Sequence, residues 1–512
     1  MHRPLRVAII GGGVSGLSLA HRLALLASTS IQRSSIPVNI DVYESSVRTG
    51  GWVSSTTQNG FLFEGGPRSF RAAGEPGSRV ISLLDELGIV ENAIASAPAA
   101  ARRYVYVDDR IQELPGSFID MFTNEFTDAL PVAVLKETMA SFIPGGSNRW
   151  ATEDESVHDF FTSRLGLPFT DSVVASMVNG IYAGDARELS MQSCFPAVFD
   201  MYKNHGSIGR SLVHSALFNT QRTPLQGTLG TLEKAASISF KDGMQTLSDS
   251  LRKRVTESEA CSIHTESRVT QITPVSGGGI RVCLDANGCE QSVEYDHVFS
   301  TVASPDISSM LRCSSLLSLK TACSRVVEDF ASVDIVALGY NDTNLPYNAF
   351  GHLVPHTNDM GVLGMIYDSE IFPNQNTAGR GRVTVMMGGT RHRWVAALPE
   401  NKLKTLATRA VHLHLGRGVP TGNDLPTPDQ ISVSRLNNCI PQYPVGHRDR
   451  VIVVEEACAD SFGNQMTILG NCFYGVSIPD CIVNAENAAD RFWHNSYPKD
   501  DSHYQPTLGR CV

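Results

Sequence analysis

The chain of 512 residues lacks several features that would assign it to a class at once. No uninterrupted apolar run approaches the roughly 20 residues that a bilayer-spanning helix needs, so any membrane contact is expected to be peripheral. No block of lysine and arginine stands out against a formal net charge of −10, which argues against nucleic acid as a partner. The eleven cysteines include no C-x-x-C pair, which favours reduced thiols over a disulfide framework.

Metal-binding patterns are also missing. The nearest approach to a ligand pair is His412-Leu413-His414, and on alternating positions of a strand or loop these imidazoles are expected to face solvent rather than a metal. His205, His352 and His447 stand alone and are expected to make structural hydrogen bonds. The sequence therefore predicts no metal site and assigns no catalytic side chain.

The first strong signal lies at the N-terminus. Arg6-Val7-Ala8-Ile9-Ile10 is a short strand pattern, Gly11-Gly12-Gly13-Val14-Ser15-Gly16 follows it, and a leucine-rich run suited to a helix comes next. In such a unit the first glycine permits a tight turn, the second lets a pyrophosphate approach the backbone, and the third lets the helix pack on the strand. Free N–H groups at the helix start would face the phosphates. The pattern predicts a dinucleotide site.

A carboxylate for the ribose is expected at Glu44, where the second strand pattern, Asn39-Ile40-Asp41-Val42-Tyr43, ends. Glu44 lies 28 residues after Gly16, which exceeds the usual gap of about 20. The surplus matches a polar insertion at 28–37 that lengthens a loop without changing the register. The alternative is an ordinary glycine-rich turn followed by a surface glutamate.

The continuation Arg48-Thr49-Gly50-Gly51-Trp52 indicates which nucleotide is bound. An arginine and a glycine pair just past the acidic strand are typical of flavoproteins with two dinucleotide-binding domains, because a further wall must close over the pyrophosphate. NAD dehydrogenases do not share this feature. The sequence therefore predicts one FAD per chain, held without a covalent bond.

Length and patterning divide the chain into segments. A chain of this length exceeds what one core usually spans, so two or three domains are expected. The nucleotide domain is predicted to be discontinuous, assembled from residues 1–92, 219–305 and 441–512. A mostly helical insertion is expected at 93–218, and a unit of alternating helices and strands at 306–440. The first strand begins at about residue 5, so no cleavable signal or transit peptide is expected.

Several longer motifs, spread in order along almost the whole chain, resemble one enzyme family. They are Glu64-Gly65-Gly66-Pro67-Arg68 and the stretches at 188–196, 350–355, 361–364, 438–443 and 475–482. In these motifs the chain is similar to the protoporphyrinogen oxidases of eukaryotic type, within the superfamily of flavin amine oxidases and phytoene desaturases. The insertion at 28–37 and the Asn471-Cys472 pair depart from the family pattern.

The resemblance implies an α/β fold. Its parts would be a discontinuous FAD-binding Rossmann-like domain, an α+β substrate-binding domain, and an inserted, mostly helical domain that associates with a membrane. The implied reaction is the six-electron oxidation of protoporphyrinogen IX to protoporphyrin IX, the penultimate step of haem biosynthesis, with O2 reduced to hydrogen peroxide. A flavin amine oxidase, a carotenoid desaturase and a non-enzymatic escort protein similar to Rab GDP-dissociation inhibitors are the alternatives.

The same resemblance implies a location and partners. Relatives of eukaryotic type lie on the mitochondrial inner membrane as peripheral proteins and commonly as dimers, and hand-over of the product to ferrochelatase is a further expectation. Phe118, Met121, Phe122, Phe126 and Leu130 have near-helical spacing in the predicted insertion. They would form either a membrane-facing surface or a buried core helix.

The site residues carried over from the family fall into two groups. Contacts to FAD are implied for Gly11, Gly12, Gly13, Val14, Ser15, Gly16, Glu44, Arg48, Gly51, Trp52, Gly66, Pro67, Arg68, Ser69, Val269, Asn471, Val476, Ser477 and Ile478. Contacts to the substrate are implied for Arg103, Gly180, Leu353, Ile366 and Met386. Arg68, in its Gly-Pro-Arg turn, is expected to shape the loop beneath the flavin ring.

The substrate residues suit a large apolar macrocycle that carries two propionates. Leu353, Ile366 and Met386 would enclose the ring by dispersion and desolvation, and Arg103 would pair bidentately with one propionate. Strand patterning alone marks the three aliphatic residues as core equally well. Arg103 could also be a solvated surface charge, as could its neighbour Arg102.

Overall fold

The structure, a computed structural model, describes residues 3–30, 37–114, 130–140, 153–211, 214, 225–286, 288–341, 345–355, 360–375, 379–416 and 426–496. Its strands are β1 (Leu5–Ile10), β2 (Val38–Tyr43), β3 (Ser55–Gln58), β4 (Phe61–Glu64), β5 (Ala93–Ala95), β6 (Tyr104–Val107), β7 (Arg110–Glu113), β8 (Ile238–Phe240), β9 (Cys261–His264), β10 (Ser267–Pro274), β11 (Ile280–Ala286), β12 (Cys289–Tyr295), β13 (His297–Ser300), β14 (Phe330–Tyr340), β15 (Gly351–Leu353), β16 (Val362–Ile366), β17 (Gly381–Gly388), β18 (Gln430–Pro441) and β19 (Met466–Ile468).

The helices lie between these strands. They are α1 (Val14–Ser30), α2 (Gly74–Leu87), α3 (Leu130–Ala140), α4 (Val157–Leu165), α5 (Leu167–Phe169), α6 (Ala175–Tyr182), α7 (Met191–Cys194), α8 (Pro196–His205), α9 (Gly227–Glu233), α10 (Gln245–Glu257), α11 (Ser304–Met310), α12 (Leu317–Val326), α13 (Asp368–Ile371), α14 (Glu400–Leu415), α15 (His447–Phe462) and α16 (Ile478–Ser496). Short 3-10 turns and one π turn at Thr170–Val174 complete the described elements.

A five-stranded parallel sheet has the order β19-β13-β1-β2-β9. Ile9 of the central strand pairs with Phe299 on one side and Val42 on the other. Side chains of α1 and α16, among them Leu23 and Ala489, are buried in one cluster with these strands. Because parallel strands present their carboxyl ends at one edge, β1 and β2 deliver the glycine turn and Glu44 to the same place.

A seven-stranded sheet has the order β18-β14-β17-β16-β15-β6-β7. Its neighbouring strands are antiparallel except for β15 and β6, which run parallel. One face is covered by α14, with Leu403 and Ala407 buried against Val336 and Val385. The opposite face is available for a site.

Helices predominate in the predicted insertion only from Leu130 onward. The preceding strands β6 and β7 belong to the seven-stranded sheet, and β5 pairs with β8. Leu130 is buried at 2% exposure, whereas residues 118–126 of the candidate apolar surface lie outside the described part of the chain. In that part no helix combines the length and the apolar character needed to cross a membrane.

Most of the local elements expected from sequence patterns are present. The sequence from Val80 to Leu87 has apolar residues at helical spacing and predicts a helix that ends at Gly88; this helix is α2, and Gly88 ends it with a φ of +73°. The expectation that His412 and His414 lie on a strand or loop and both face solvent was wrong. Both lie on α14, where residues two apart point to different sides of the helix. His414 is buried and lies 2.8 Å from His352, so neither imidazole of this pair is isolated.

Candidate functional site

The glycine turn closes tightly between β1 and α1. The N–H of Gly11, whose φ is +104°, donates to the Tyr43 carbonyl at 2.8 Å. A Cβ on Gly16 would lie 1.9 Å from the Gly11 carbonyl oxygen, so only glycine lets the helix start this close to the turn. A Cβ on Gly13 would have the Cα of Gly51 as its nearest neighbour, at 3.9 Å. The space beside Gly13 is therefore open, and the first turn of α1, with Val14 and Ser15, offers N–H groups to a phosphate.

Glu44 lies at the mouth of this turn. Its Oε2 accepts the N–H of Gly12 at 2.9 Å, and its Oε1 accepts the N–H and the hydroxyl of Ser46, both at 2.8 Å. The backbone carbonyl of Glu44 accepts the N–H of Ser267 at 2.9 Å, which brings the start of β10 and, two residues further on, Val269 to the same corner. A carboxylate that can accept ribose hydroxyls, beside helix N–H groups that can donate to phosphate, is the combination that an adenosine diphosphate group requires.

The loop that follows Glu44 is held by its arginine. The Arg48 guanidinium donates to the carbonyls of Thr49, Val53 and Gly51 at 3.2, 3.0 and 2.8 Å. The N–H of Gly50 donates to the Gly12 carbonyl at 2.8 Å, so this loop closes over the glycine turn. Arg48 therefore shapes the wall of the nucleotide site through its own loop, and a direct contact to FAD stays a prediction.

A buried ion pair supports a second wall. Arg68 Nη1 donates to Asp368 Oδ1 at 2.8 Å, and the Thr384 hydroxyl donates to Asp368 Oδ2 at 2.7 Å. The Arg68 carbonyl accepts the hydroxyl of Ser239 at 2.9 Å. Nearby, burial raises the pKa of Glu64 to about 7, although the Ser55 hydroxyl and the Met244 N–H both donate to its carboxylate. The turn from Gly66 to Ser69 is thus fixed by contacts from several distant elements.

The third wall is the loop of residues 469–477, which joins β19 to α16 and is called the flavin loop below. Gly470 and Gly475 adopt φ values of +117° and +121°. Ser477 and Asp480 cap the start of α16: the Ser477 hydroxyl donates to Asp480 Oδ2 at 2.6 Å, and the Asp480 N–H donates to Ser477 Oγ at 3.2 Å. Ile478 begins the helix, so its positive end points toward the flavin loop.

A mostly apolar cavity of about 260 Å³ lies where these walls meet the seven-stranded sheet. Its lining combines residues predicted for FAD with residues predicted for the substrate. They are Trp52, Gly66, Pro67, Arg68, Gly180, Ile181, Ala183, Val333, Ile335, Leu363, Met386, Leu436, Cys439, Ile440, Asn471 and Val476. The remaining predicted FAD residues lie around the glycine turn, around Glu44 and at the ends of these walls.

The other predicted substrate residues adjoin this cavity. In the sheet, Gly364 pairs with both Leu353 and Met386, so these side chains share one face. Ile366 is buried and packs in one cluster with Met386. A Cβ on Gly180 would lie 2.4 Å from Cδ2 of Leu353, which shows how closely α6 approaches the sheet. Three of the four apolar candidates therefore come from adjacent strands, and the fourth faces them.

Arg103 directly precedes β6 and lies outside the cavity lining. Its side chain is exposed, and in the described part of the chain no carboxylate pairs with it. Desolvation by neighbouring atoms, with a smaller contribution from the charge of Arg71, lowers the pKa of Arg103. Arg102 is different, because its guanidinium donates to both oxygens of Glu113 at 3.0 Å. Arg102 is therefore ion-paired, whereas Arg103 is available to bind an anionic group.

Sequence reasoning missed the part of the cavity that β14 and β18 provide. Val333 and Ile335 come from β14, and Leu436, Cys439 and Ile440 come from β18. Ile335 pairs with Met386 on the neighbouring strand, so the predicted residue Met386 lies next to the missed residue Ile335. The only signal was the apolar run of β14, which marks a buried strand but not a site. Among the described residues no cluster of three metal-ligating side chains occurs.

Comparison with known proteins gives consistent matches over nearly the whole chain. The family of flavin-containing amine oxidoreductases matches residues 14–492. Human protoporphyrinogen oxidase is 32% identical over 498 residues, 94% of this chain and 97% of the human protein. The protoporphyrinogen oxidase of Schizosaccharomyces pombe is 30% identical over 518 residues, 95% of this chain and 98% of that protein. A crystal structure from Exiguobacterium sp. 255-15 has a TM-score of 0.75 at 19% identity, covers 95% of this chain and 98% of that one, and supports the fold alone.

Proposed function

We propose that this chain, which belongs to the family of flavin-containing amine oxidoreductases and within it to the protoporphyrinogen oxidases, oxidises protoporphyrinogen IX to protoporphyrin IX at a bound FAD. The observation that carries the proposal is the cavity shared by Trp52, Asn471 and Val476 on one side and Gly180 and Met386 on the other. Walls of this composition suit a large apolar ring that must lie against a flavin.

Bound FAD would supply the redox chemistry: in each cycle the substrate loses two electrons and two protons, which reduce one O2 to hydrogen peroxide. Six hydrogens leave protoporphyrinogen IX, so the balanced reaction consumes three O2 and forms three H2O2 per porphyrin. The residues that would hold the cofactor are the start of α1 for the phosphates, Glu44 for the ribose, and the flavin loop for the ring. We propose these contacts on the geometry described above.

The protein's own contribution is binding, orientation and exclusion of water. Leu353, Ile366 and Met386 would pack against one face of the macrocycle and fix its distance from the flavin. Arg103, which has no carboxylate partner among the described residues, would pair with a propionate that extends from the sheet edge. The substrate would thus be held by apolar contact at the reacting bridge and by charge at its periphery.

No general base is required from the cavity wall. The titratable side chains in the described lining are Arg68, which is paired with Asp368, and Cys439, whose pKa burial raises to about 11. Neither accepts a proton readily at neutral pH. We propose that tautomerisation of the pyrrole rings carries the proton steps and that the side chains only position the macrocycle.

FAD is proposed to be held without a covalent bond. Cys472 is the cysteine nearest the flavin in the sequence pattern, but its side chain is fully buried and burial raises its pKa to about 12. A thiol in this state is a poor nucleophile. Acid precipitation should therefore release all the yellow colour into the supernatant, and colour retained in the pellet would contradict non-covalent binding.

The organisation and location are proposals of the same kind. We place the nucleotide domain at 1–92, 219–305 and 441–512, the substrate domain at 306–440, and the insertion at 93–218, whose strands β6 and β7 extend the sheet of the substrate domain. We propose a peripheral position on the mitochondrial inner membrane: the organelle is proposed from the family, and contact with a membrane surface is supported by Val132, Leu135 and Met139, which expose 52, 60 and 64% of their surface along one side of α3. A homodimer and transfer of the product to ferrochelatase follow from the family alone.

The test is direct. Purified protein that carries FAD should convert protoporphyrinogen IX in air to a fluorescent porphyrin faster than a heat-inactivated sample. The reaction should stop without O2 and should yield three H2O2 per porphyrin. A yellow protein that leaves porphyrinogen at the uncatalysed rate but oxidises an amine or a carotenoid would contradict the proposal, and a colourless protein that cannot be loaded with FAD would contradict it at the cofactor.

A further inference from the structure

The flavin loop is a thin wall between two spaces. Asn471 and Val476 line the cavity of about 260 Å³ on its inner side. Phe473, Tyr474 and Gly475 line a cleft of about 530 Å³ that opens on its outer side. Cys472 and Phe473 are anchored in the core and Val476 packs partly against it, whereas Asn471 borders the cavity and Gly475 borders the cleft. Packing holds the middle of the loop and Val476, so the separation of Asn471 from Val476 depends in addition on the hydrogen bonds that the loop makes.

One buried phenol spans this loop. The hydroxyl of Tyr443 donates to the carbonyl of Asn471 and accepts the N–H of Gly475 at 3.1 Å. Both capacities of a single O–H group are used, and they join backbone groups four residues apart. Tyr443 comes from the segment between β18 and α15, far from the flavin loop in sequence. Its hydroxyl lies between Asn471, which lines the cavity, and Gly475, which precedes Val476.

Tyr443 is itself held rigidly. Its side chain is 1% exposed, and its ring stacks on His447 with centroids 4.1 Å apart and planes 9° from parallel. His447 Nδ1 lies 3.1 Å from the Val326 carbonyl, which it meets as a donor, and the Tyr443 carbonyl accepts the N–H of Ser190 at 2.9 Å. Burial raises the pKa of the Tyr443 phenol well above its ordinary value, so the group stays a hydrogen-bond donor. The Tyr443 hydroxyl that contacts the flavin loop is therefore held in a fixed position by the surrounding core.

We infer that Tyr443 is a positioning residue of the flavin site: its hydroxyl sets the separation of Asn471 and Val476 and thereby the surroundings of the bound flavin ring. This inference rests on the proposed placement of FAD beside those two residues. Removal of the hydroxyl leaves a half-buried carbonyl and a half-buried N–H without this partner, so the loop must shift or admit water. Either change alters the flavin's environment without removing any residue that contacts it.

The experiment compares Tyr443→Phe with Tyr182→Phe. Tyr182 is a matched control because its ring lies beside that of Tyr443, with centroids 6.4 Å apart, and its buried hydroxyl also donates to a main-chain carbonyl, but that carbonyl belongs to Cys194, at 2.8 Å, and not to the flavin loop. We expect Tyr443→Phe to bind FAD about tenfold more weakly, a loss of the order of one buried hydrogen bond. Saturated with FAD, it should also show a shifted flavin midpoint potential and visible spectrum, and Tyr182→Phe should match the wild type in all three.

The outcomes separate this inference from the proposed function. A wild type that holds no FAD contradicts the proposed function itself. A wild type that is yellow and active, with a Tyr443→Phe variant of unchanged FAD affinity, potential and spectrum, overturns the inference alone. Should Tyr443→Phe not fold, fluorotyrosines at position 443 keep the hydroxyl and strengthen its donated bond in graded steps. The flavin potential should then change in step at position 443 but not at 182, and equal responses at the two positions overturn the inference.

Discussion

Arg102 and Arg103 are adjacent cations in opposite situations, since Glu113 pairs with the first and the second has no carboxylate partner in the described part of the chain. We expect Arg103→Ala to raise KM for protoporphyrinogen about tenfold with a smaller effect on kcat, because lost propionate pairing is mainly ground-state binding. Arg102→Ala should leave both constants near the wild type. Steady-state kinetics of the two variants decides, and an unchanged KM in Arg103→Ala would remove the residue from the substrate site.

Glu44 accepts the Gly12 N–H at 2.9 Å and lies where the ribose is expected. We expect Glu44→Ala to lose most of its FAD during purification, because the ribose hydroxyls lose their acceptor. The flavin-to-protein absorbance ratio measures this. Glu75→Ala, at an exposed position of α2, is the control and should remain yellow. A Glu44→Ala protein with a full flavin complement would contradict the ribose role.

The residues predictable from sequence are those whose role depends on near neighbours. Gly16 must be glycine because a Cβ would collide with the carbonyl of Gly11, five residues earlier. The spacing of these glycines in the sequence is therefore enough to predict the role of Gly16. Cys439 and Ile335 line the cavity only because β18 and β17 flank β14 in the sheet. An apolar residue on a buried strand has the same pattern whether it faces a cavity or another side chain, so no local signal could separate the two.

At the scale of elements, the contact of α6 with β15 sets the width of the cavity. Gly180 lines the cavity, and a Cβ there would lie 2.4 Å from Cδ2 of Leu353. We expect Gly180→Ala to push Leu353 toward the substrate space, raising KM for the macrocycle severalfold while FAD retention stays unchanged. The double variant Gly180→Ala with Leu353→Ala should recover much of the lost affinity. Equal kinetics for wild type and Gly180→Ala would show that this contact does not limit the cavity.

Element types were easier to predict than element partners. The helix ending at Gly88 and the strand around Val385 follow from short-range patterns. The spacing of His412 and His414 suggested alternation, yet α14 contains both because its apolar residues Leu403, Ala407 and Val411 recur at helical intervals. The addition of β6 and β7 to the edge of the large sheet depends on a pairing with β15, about 250 residues further along the chain, and no local pattern encodes it.

At the scale of the whole molecule, buried histidines couple stability to pH. Burial lowers the pKa of His297 to about 3 and those of His414 and His447 to about 4, from an ordinary value of 6.5. Below pH 6.5 the unfolded chain binds protons that the folded chain does not, so the free energy of unfolding falls as pH falls toward 4. Each histidine contributes about 1.4 kcal/mol per pH unit. Glu64, whose pKa is raised to about 7, works in the opposite direction between pH 4.5 and 7 and offsets one of them.

His297→Gln isolates one of these contributions. His297 Nε2 lies 3.0 Å from the Thr467 hydroxyl, a hydrogen bond that glutamine can imitate. Urea unfolding between pH 7.5 and 4.5 measures how the free energy of unfolding falls with pH. In His297→Gln this fall should be less steep than in the wild type, by the slope that corresponds to about one proton. Parallel curves for wild type and His297→Gln would mean that this imidazole is charged in the folded protein.

The order of the five-stranded sheet also has a consequence for how the protein is made. β1, near residue 5, pairs with β13 at 297–300, which in turn pairs with β19 at 466–468. β1 can pair with β2 early, but it gains its second neighbour only after β13 has been synthesised, and the last loop reaches this edge of the sheet only after β19 has left the ribosome. FAD can therefore bind only when synthesis of the chain is almost complete. A nascent chain that stops before residue 466 should show no flavin absorbance.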